Sequence, residues 1–361
     1  MTMPAPQQHP DLHESRQTAR SPSATFTVGE AVELVHVVRN GFIESRTIGS
    51  AVVTAPDGSV LASLGSPASL VYPRSTLKPL QAIASLRHGA RLVEEQIALA
   101  CGSHRGTARH RQTAATVLSY AGMDESFLQC PPAWPADPAG IIEMAGDAGP
   151  GGPLQTPLAY NCSGKHAGFL SAAKHGGHDV STYLDLDHPV QREVAAVLEE
   201  YCGEPVAHWG VDGCGAPAPV LSLNGLARGI GKVAAAPHRR DSEVHAASVA
   251  TAMLEHPWAV HGETNTNTVV IRELGVLAKL GADGVMVMAA QDGTAVAVKA
   301  LDGGTRAGNL VALVLLAQFA PTQIDLEALP GVLDTVAPKI LGRGKPVGRV
   351  QLARPVLDLL D

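Results

Sequence analysis

The sequence predicts a mixed α/β protein in which one antiparallel sheet, drawn from both ends of the chain, is flanked by helices. Three observations carry this. Near the N-terminus, Asn40-Gly41 and Asp57-Gly58 separate runs of strand-like composition, and such pairs suit turns that need positive φ. The middle of the chain repeats its apolar residues at helical spacing. Near the C-terminus, Asp292-Gly293 joins two more apolar, strand-like runs. The 361 residues, 45% of them hydrophobic, are ample for a packed core. With no repeat and no interdomain linker, residues 28–361 are expected to form one domain. Residues 1–27, polar and Pro-rich, bury too little to offset their ordering entropy and are expected to be a disordered tail.

Taken in order, strands are expected over Val32 to Arg39, Glu44 to Thr54 and Val60 to Leu64. Leu77, Leu80, Ile83, Ala84 and Leu86 share a helical face that Gly89 closes. A second helix is expected over Ala108 to Ala121, and a long loop over Pro131 to Pro157, where Pro and Gly are dense. Helices follow at Ser163 to His175 and at Pro189 to Tyr201, the latter with Asp187 as N-cap and Pro189 in the first turn. Further helices are read at Ser242 to Leu254, Thr268 to Leu280 and Leu310 to Phe319. The late strands are Val285 to Ala290, Thr294 to Leu301 and Arg349 to Leu352.

Composition removes several functions. There are 27 basic and 34 acidic side chains, a formal charge of −7, so no basic patch recommends a nucleic-acid or membrane-surface partner. Aromatic residues at 4% make base stacking a poor expectation. No apolar run reaches the roughly 18 residues of a spanning helix, and the first 25 residues lack the apolar core of a secretory signal. A cytoplasmic protein is expected. Five cysteines, Cys101, Cys130, Cys162, Cys202 and Cys214, are odd in number and scattered, which is no disulfide framework.

Five segments combine residue types that can do chemistry. Pro73-Arg74-Ser75-Thr76-Leu77-Lys78-Pro79 lies where strand gives way to helix, placing Ser75 and Lys78 one turn apart. A lysine can take a serine proton only if burial or a neighbouring cation depresses its pKa, and Arg74 can supply some of that field. Asn161-Cys162-Ser163-Gly164-Lys165-His166 puts a thiol at a helix mouth, where it is biased toward thiolate. Val211-Asp212-Gly213-Cys214 presents a second thiol on a turn, and two thiolates on joined loops can share Zn²⁺. Cys101-Gly102-Ser103-His104 follows an apolar stretch. Lys299 stands inside an apolar strand, where an exposed edge lysine is the plain alternative. Taken singly, each segment is more readily read as an N-cap serine, a buried inert cysteine or a solvated lysine.

Together and in this order, the motifs resemble the asparaginase II family, the Rhizobium etli-like L-asparaginases, from about Val32 to about Ala317. The Asn-Cys-Ser-Gly-Lys-His string is the most specific element. The resemblance implies a fold like that of serine β-lactamases and penicillin-binding proteins, and hydrolysis of L-asparagine to aspartate and ammonia. It implies catalytic pairs Ser75–Lys78 and Ser103–Lys299, a zinc site of Cys162, Lys165 and Cys214, and a homodimer. Arg74, Asp212 and His166 are expected to meet substrate, Asp212 as partner of the α-ammonium. Two departures bear on recognition. Thr107 stands where the family often has an acidic residue, and Asn and Thr replace an Arg and an aromatic in Gly262 to Thr268. The alternatives are another Ser-Lys amidohydrolase, such as a glutaminase or a β-lactam or D-peptide hydrolase, and a non-catalytic zinc- or ligand-sensing protein. No Lys-Thr-Gly follows Lys299, which disfavours penicillin recognition.

Overall fold

A computed structural model describes residues 24–146 and 155–361. The strands are β1 (Val32–Arg39), β2 (Phe42–Thr54), β3 (Val60–Leu64), β4 (Leu70–Val71), β5 (His208–Val211), β6 (Pro217–Ser222), β7 (Leu277–Leu280), β8 (Val285–Ala289), β9 (Ala295–Ala300), β10 (Lys339–Gly342) and β11 (Lys345–Leu352). The main sheet runs β10-β11-β1-β2-β9-β8-β7, with β3 also paired to β2, and every pairing in it is antiparallel. The two ends of the chain therefore meet in one sheet, β11 beside β1 and β9 beside β2. Asn40 and Gly41 take φ of 48° and 84°, the positive values that a tight hairpin requires.

The helices are α1 (Lys78–Arg87), α2 (Glu94–Ala100), α3 (Ala108–Tyr120), α4 (Pro138–Gly146), α5 (Ser163–His175), α6 (Pro189–Cys202), α7 (Leu223–Ala235), α8 (Val244–Glu255), α9 (Pro257–His261), α10 (Thr266–Leu274), α11 (Gly308–Phe319), α12 (Leu329–Val336) and α13 (Arg354–Leu357). Both α7 and α11 pack on β8 and β9, whose residues are all buried. Burial on both faces explains why those strands read as unbroken apolar runs. α1 packs on α5, α6 and α8, and α5 on α2 and α3, so a helical layer builds up beside the sheet. No described helix is long and apolar enough to cross a membrane.

Several expectations need correction. The helix read over Thr268 to Leu280 is two elements: α10 stops at Leu274, Gly275 takes a left-handed φ of 64°, and β7 follows. The loop read over Pro131 to Pro157 contains α4, and its residues 147–154 lie outside the described residues. Most of the expected tail, residues 1–23, also lies outside them, whereas Phe26 near its end is buried at 3% exposure. The cap of α6 is His188, whose Nδ1 accepts the Val190 N–H at 3.2 Å, rather than Asp187. A second sheet, β4-β6-β5, was not anticipated.

Candidate active site

Between β4 and α1 the chain makes a 3-10 turn, Arg74–Leu77, that carries Ser75. Arg74 has φ of 56°, a left-handed value costly for a residue with a Cβ. Two carboxylates hold it there. Asp212 Oδ1 accepts from Arg74 Nε at 3.1 Å and from Nη2 at 2.6 Å, and Asp283 Oδ2 accepts from Nη1. Burial pushes the Asp212 carboxyl up, but the hydrogen bond and charge of Arg74, with Lys165, outweigh this and leave it below its ordinary range. The turn is thus tied to the β5–β6 connection on one side and the β7–β8 connection on the other.

Lys78 opens α1 and is 1% exposed. Its ammonium donates to the Gly102 carbonyl, to Ser103 Oγ at 3.2 Å and to the Asn161 carbonyl at 3.3 Å. Among the described residues no hydrogen bond joins it to Ser75 Oγ, so the resting contact of Lys78 is the other serine. Ser103 Oγ is also 2.9 Å from Lys279 Nζ, whose second partner is the Leu280 carbonyl at 2.6 Å. Lys279 is 1% exposed, and burial, helped by the charge of Lys78, drives its amine well below the ordinary lysine range. A serine hydroxyl beside a lysine held neutral by burial has a proton acceptor in reach.

The second lysine was expected to be Lys299, and the structure corrects that pairing. Lys299 is well covered, but its ammonium donates to the Asp283 carbonyl, and no hydrogen bond links it to Ser103. It lies instead beside the Asp283 that grips Arg74, at the rim of the same cluster. Lys279 was missed because it was assigned to the tail of a helix. In β7 it is a lysine in a four-residue apolar strand before the Asp283-Gly284 turn, the same signal that singled out Lys299.

The thiol segments converge here too. Gly164, in the first turn of α5, lies so close to α2 that a Cβ would sit 2.5 Å from the Leu99 carbonyl. This close approach brings Cys162 and Lys165 to the end of α2, where Gly102 and Ser103 begin. Lys165 Nζ donates to Cys214 Sγ at 3.2 Å. The Cys162 thiol is held well below its ordinary range by a hydrogen bond from Cys214 and, against burial, by Lys78 and Lys165, while the same bond pushes Cys214 up. Burial pulls the Lys165 amine down, but the two sulfurs outweigh it and keep it above the ordinary lysine value. His166, expected to meet substrate, is fully buried, with Nδ1 2.7 Å from Tyr183 Oη and Nε2 without a partner among the described residues.

As a metal centre the cluster is sparse in the usual ligands: among the described residues, no three His, Cys, Asp or Glu side chains converge. Two thiols and a lysine nitrogen do meet, however, and a soft S₂N donor set suits zinc once Lys165 gives up its proton. On donor chemistry, the residues fit the ion.

Two buried lysines thus meet at one serine, beside the thiol cluster. Residues 35–352 match the L-asparaginase II family, and the chain belongs to that family, whose members are amidohydrolases acting on a small-molecule substrate. Among curated proteins, none is significantly similar to the chain. Eleven chains of solved structures match it. One is described as "Crystal Structure Analysis of Mglu in its native form", at 13% identity and a TM-score of 0.42, covering 75% of this chain and 64% of that one. The chain thus spans less than two thirds of that neighbour.

Proposed function

We propose that the protein hydrolyses the side-chain amide of L-asparagine to L-aspartate and ammonia through a serine nucleophile and lysine bases. The observation that carries this reading is Ser103 Oγ, 3.2 Å from Lys78 Nζ and 2.9 Å from Lys279 Nζ, in a chain of the L-asparaginase II family. Lys78 first passes a proton through Ser103 to the neutral Lys279 and then, as the free amine, takes the proton of Ser75 as that oxygen attacks the amide carbon, the backbone N–H of Ser75 facing the oxyanion. The proton passes through Ser103 and Lys279 to the departing nitrogen, which leaves as ammonia. Water, deprotonated along the same path, then releases aspartate from the acyl-serine. Lys279 takes the place first given to Lys299. Arg74 and Asp212 face the amino-acid end of the substrate, Asp212 toward the ammonium.

Cys162, Lys165 and Cys214 would hold a zinc ion, which when bound would tie the α5 and β5–β6 segments together and orient the substrate. Elemental analysis should find about one zinc per chain, lost in Cys162→Ser and Cys214→Ser, because two thiolates are most of the donor set. Zinc equally retained in both variants contradicts the assignment. We also assign the sheet and its helices to the serine β-lactamase and penicillin-binding-protein class. The Ser75-x-x-Lys78 pair at the start of α1 supports this.

The test is ammonia release from L-asparagine and L-glutamine by the purified protein. Asparagine should be turned over. Ser75→Ala should lower kcat by about a thousandfold or more while the fold persists. Inertness of the wild type toward both amides would remove the reading. Glutamine is longer by one methylene, which a pocket resolves by only about 1–3 kcal/mol, so a side activity on it is consistent.

A further inference from the structure

Two segments run side by side next to the Ser103–Lys279 pair. The Ser103 N–H donates to the Val260 carbonyl at 2.8 Å. Gly102 lies so close to the same stretch that a Cβ would be 2.4 Å from the Ala259 carbonyl. Further on, a Cβ on Gly262 would lie 2.8 Å from Arg105 Cγ. Residues 102–105 are therefore in register with residues 259–262, and His261 is held one residue beyond the anchor of Ser103.

His261 is unused by the chemistry derived so far. Its Nδ1 is buried and has no partner among the described residues, while the residue as a whole is only partly covered. An orphaned buried nitrogen is costly in a folded protein unless something else meets it. The groups that act on the ring are basic, Arg105 and Lys78 together with Lys279 and His110, which burial holds neutral, and none of them is a carboxylate. Burial first, then these neighbours, push its pKa down to about 3, so the ring is neutral and offers one N–H donor and one acceptor. Arg105 and Lys78 with a neutral donor beside them, and no carboxylate, make a corner that complements an anionic group.

We infer that His261 is a specificity-determining residue that donates a hydrogen bond to the α-carboxylate of the substrate. This deepens the asparaginase reading and rests on it. Every amino-acid amide carries that carboxylate, so the contact selects amino acids over simple amides rather than asparagine over glutamine.

The test uses His261→Phe, which keeps a ring and removes the hydrogen bond, and His261→Asn, which keeps a donor. Kinetics are measured on L-asparagine and on 3-aminopropanamide, which is asparagine without its α-carboxylate, and L-aspartate binding is measured by calorimetry. For His261→Phe, KM for asparagine and Kd for aspartate should rise about tenfold or more, with kcat within about threefold of wild type. His261→Asn should recover part of the loss, and 3-aminopropanamide should not distinguish wild type from either variant. Unchanged asparagine KM and aspartate Kd, or an equal loss on both substrates, overturns the inference. Wild-type protein that neither hydrolyses asparagine nor binds aspartate instead refutes the reading beneath it.

Discussion

At the scale of single residues, the proposed mechanism turns on Lys279, and its sign with pH follows from its burial. A buried amine held below the ordinary lysine range is neutral at pH values where a solvated lysine is charged. Ser103 can lose its proton to that amine only while it is unprotonated. kcat/KM should therefore hold through neutral pH and fall on the acid side as Lys279 takes up a proton. Lys279→Arg, charged at every accessible pH, should be inactive throughout, and a pH–rate profile checks both. Arg74 is the other telling residue, since its left-handed φ is maintained by Asp212 and Asp283. Most of these residues were legible in the sequence because lysine, cysteine and aspartate stand out in apolar or turn-rich surroundings. The Lys299 error has a physical cause: two lysines in neighbouring apolar strands carry the same local signal, and only the fold says which one reaches Ser103.

Among the elements, the helices with clear periodicity and the hairpins with Asn-Gly or Asp-Gly turns were readable, and the short pieces were not. β7 has four residues, too few to show alternation, and its apolar residues continue the helical spacing of α10 past Gly275. β6 begins with Pro217 and includes Pro219, residues that argue against a strand. They are tolerated because β4 pairs only with the far end of β6, at Ser222 and Leu221. The α2–α5 contact at Gly164 is what brings the thiols to Ser103. Gly164→Val should force a side chain against the Leu99 backbone, costing about 1–3 kcal/mol of stability and lowering kcat by displacing Cys162 and Lys165. Chemical denaturation measures the first and an ammonia assay the second. Unchanged stability would mean that the close packing is not required.

For the whole molecule, the sheet assembled from both ends of the chain was legible because its strands bracket the helical middle, whereas the small second sheet needed long-range pairing to be seen. The site itself imposes a stability cost. In the unfolded chain Lys279 has an ordinary pKa near 10.4, whereas folding depresses it. At pH below 10 the unfolded state binds a proton that the folded state does not, so this residue favours folding least as pH falls toward its folded value. Replacing it with a methionine of similar length should remove that cost. Lys279→Met should unfold at higher temperature, by about 1–4 kcal/mol in stability at neutral pH, while losing turnover. A lower melting temperature would show that the Ser103 and Leu280 contacts outweigh the desolvation.

The most direct trial of the Ser103–Lys279 assignment is a side-by-side ammonia assay on L-asparagine with wild type, Lys279→Met and Lys299→Met, each confirmed as folded. Lys279→Met should lower kcat by about a thousandfold or more, and Lys299→Met, bonded only at the rim, by less than about tenfold. Full activity in Lys279→Met with loss in Lys299→Met would contradict the account.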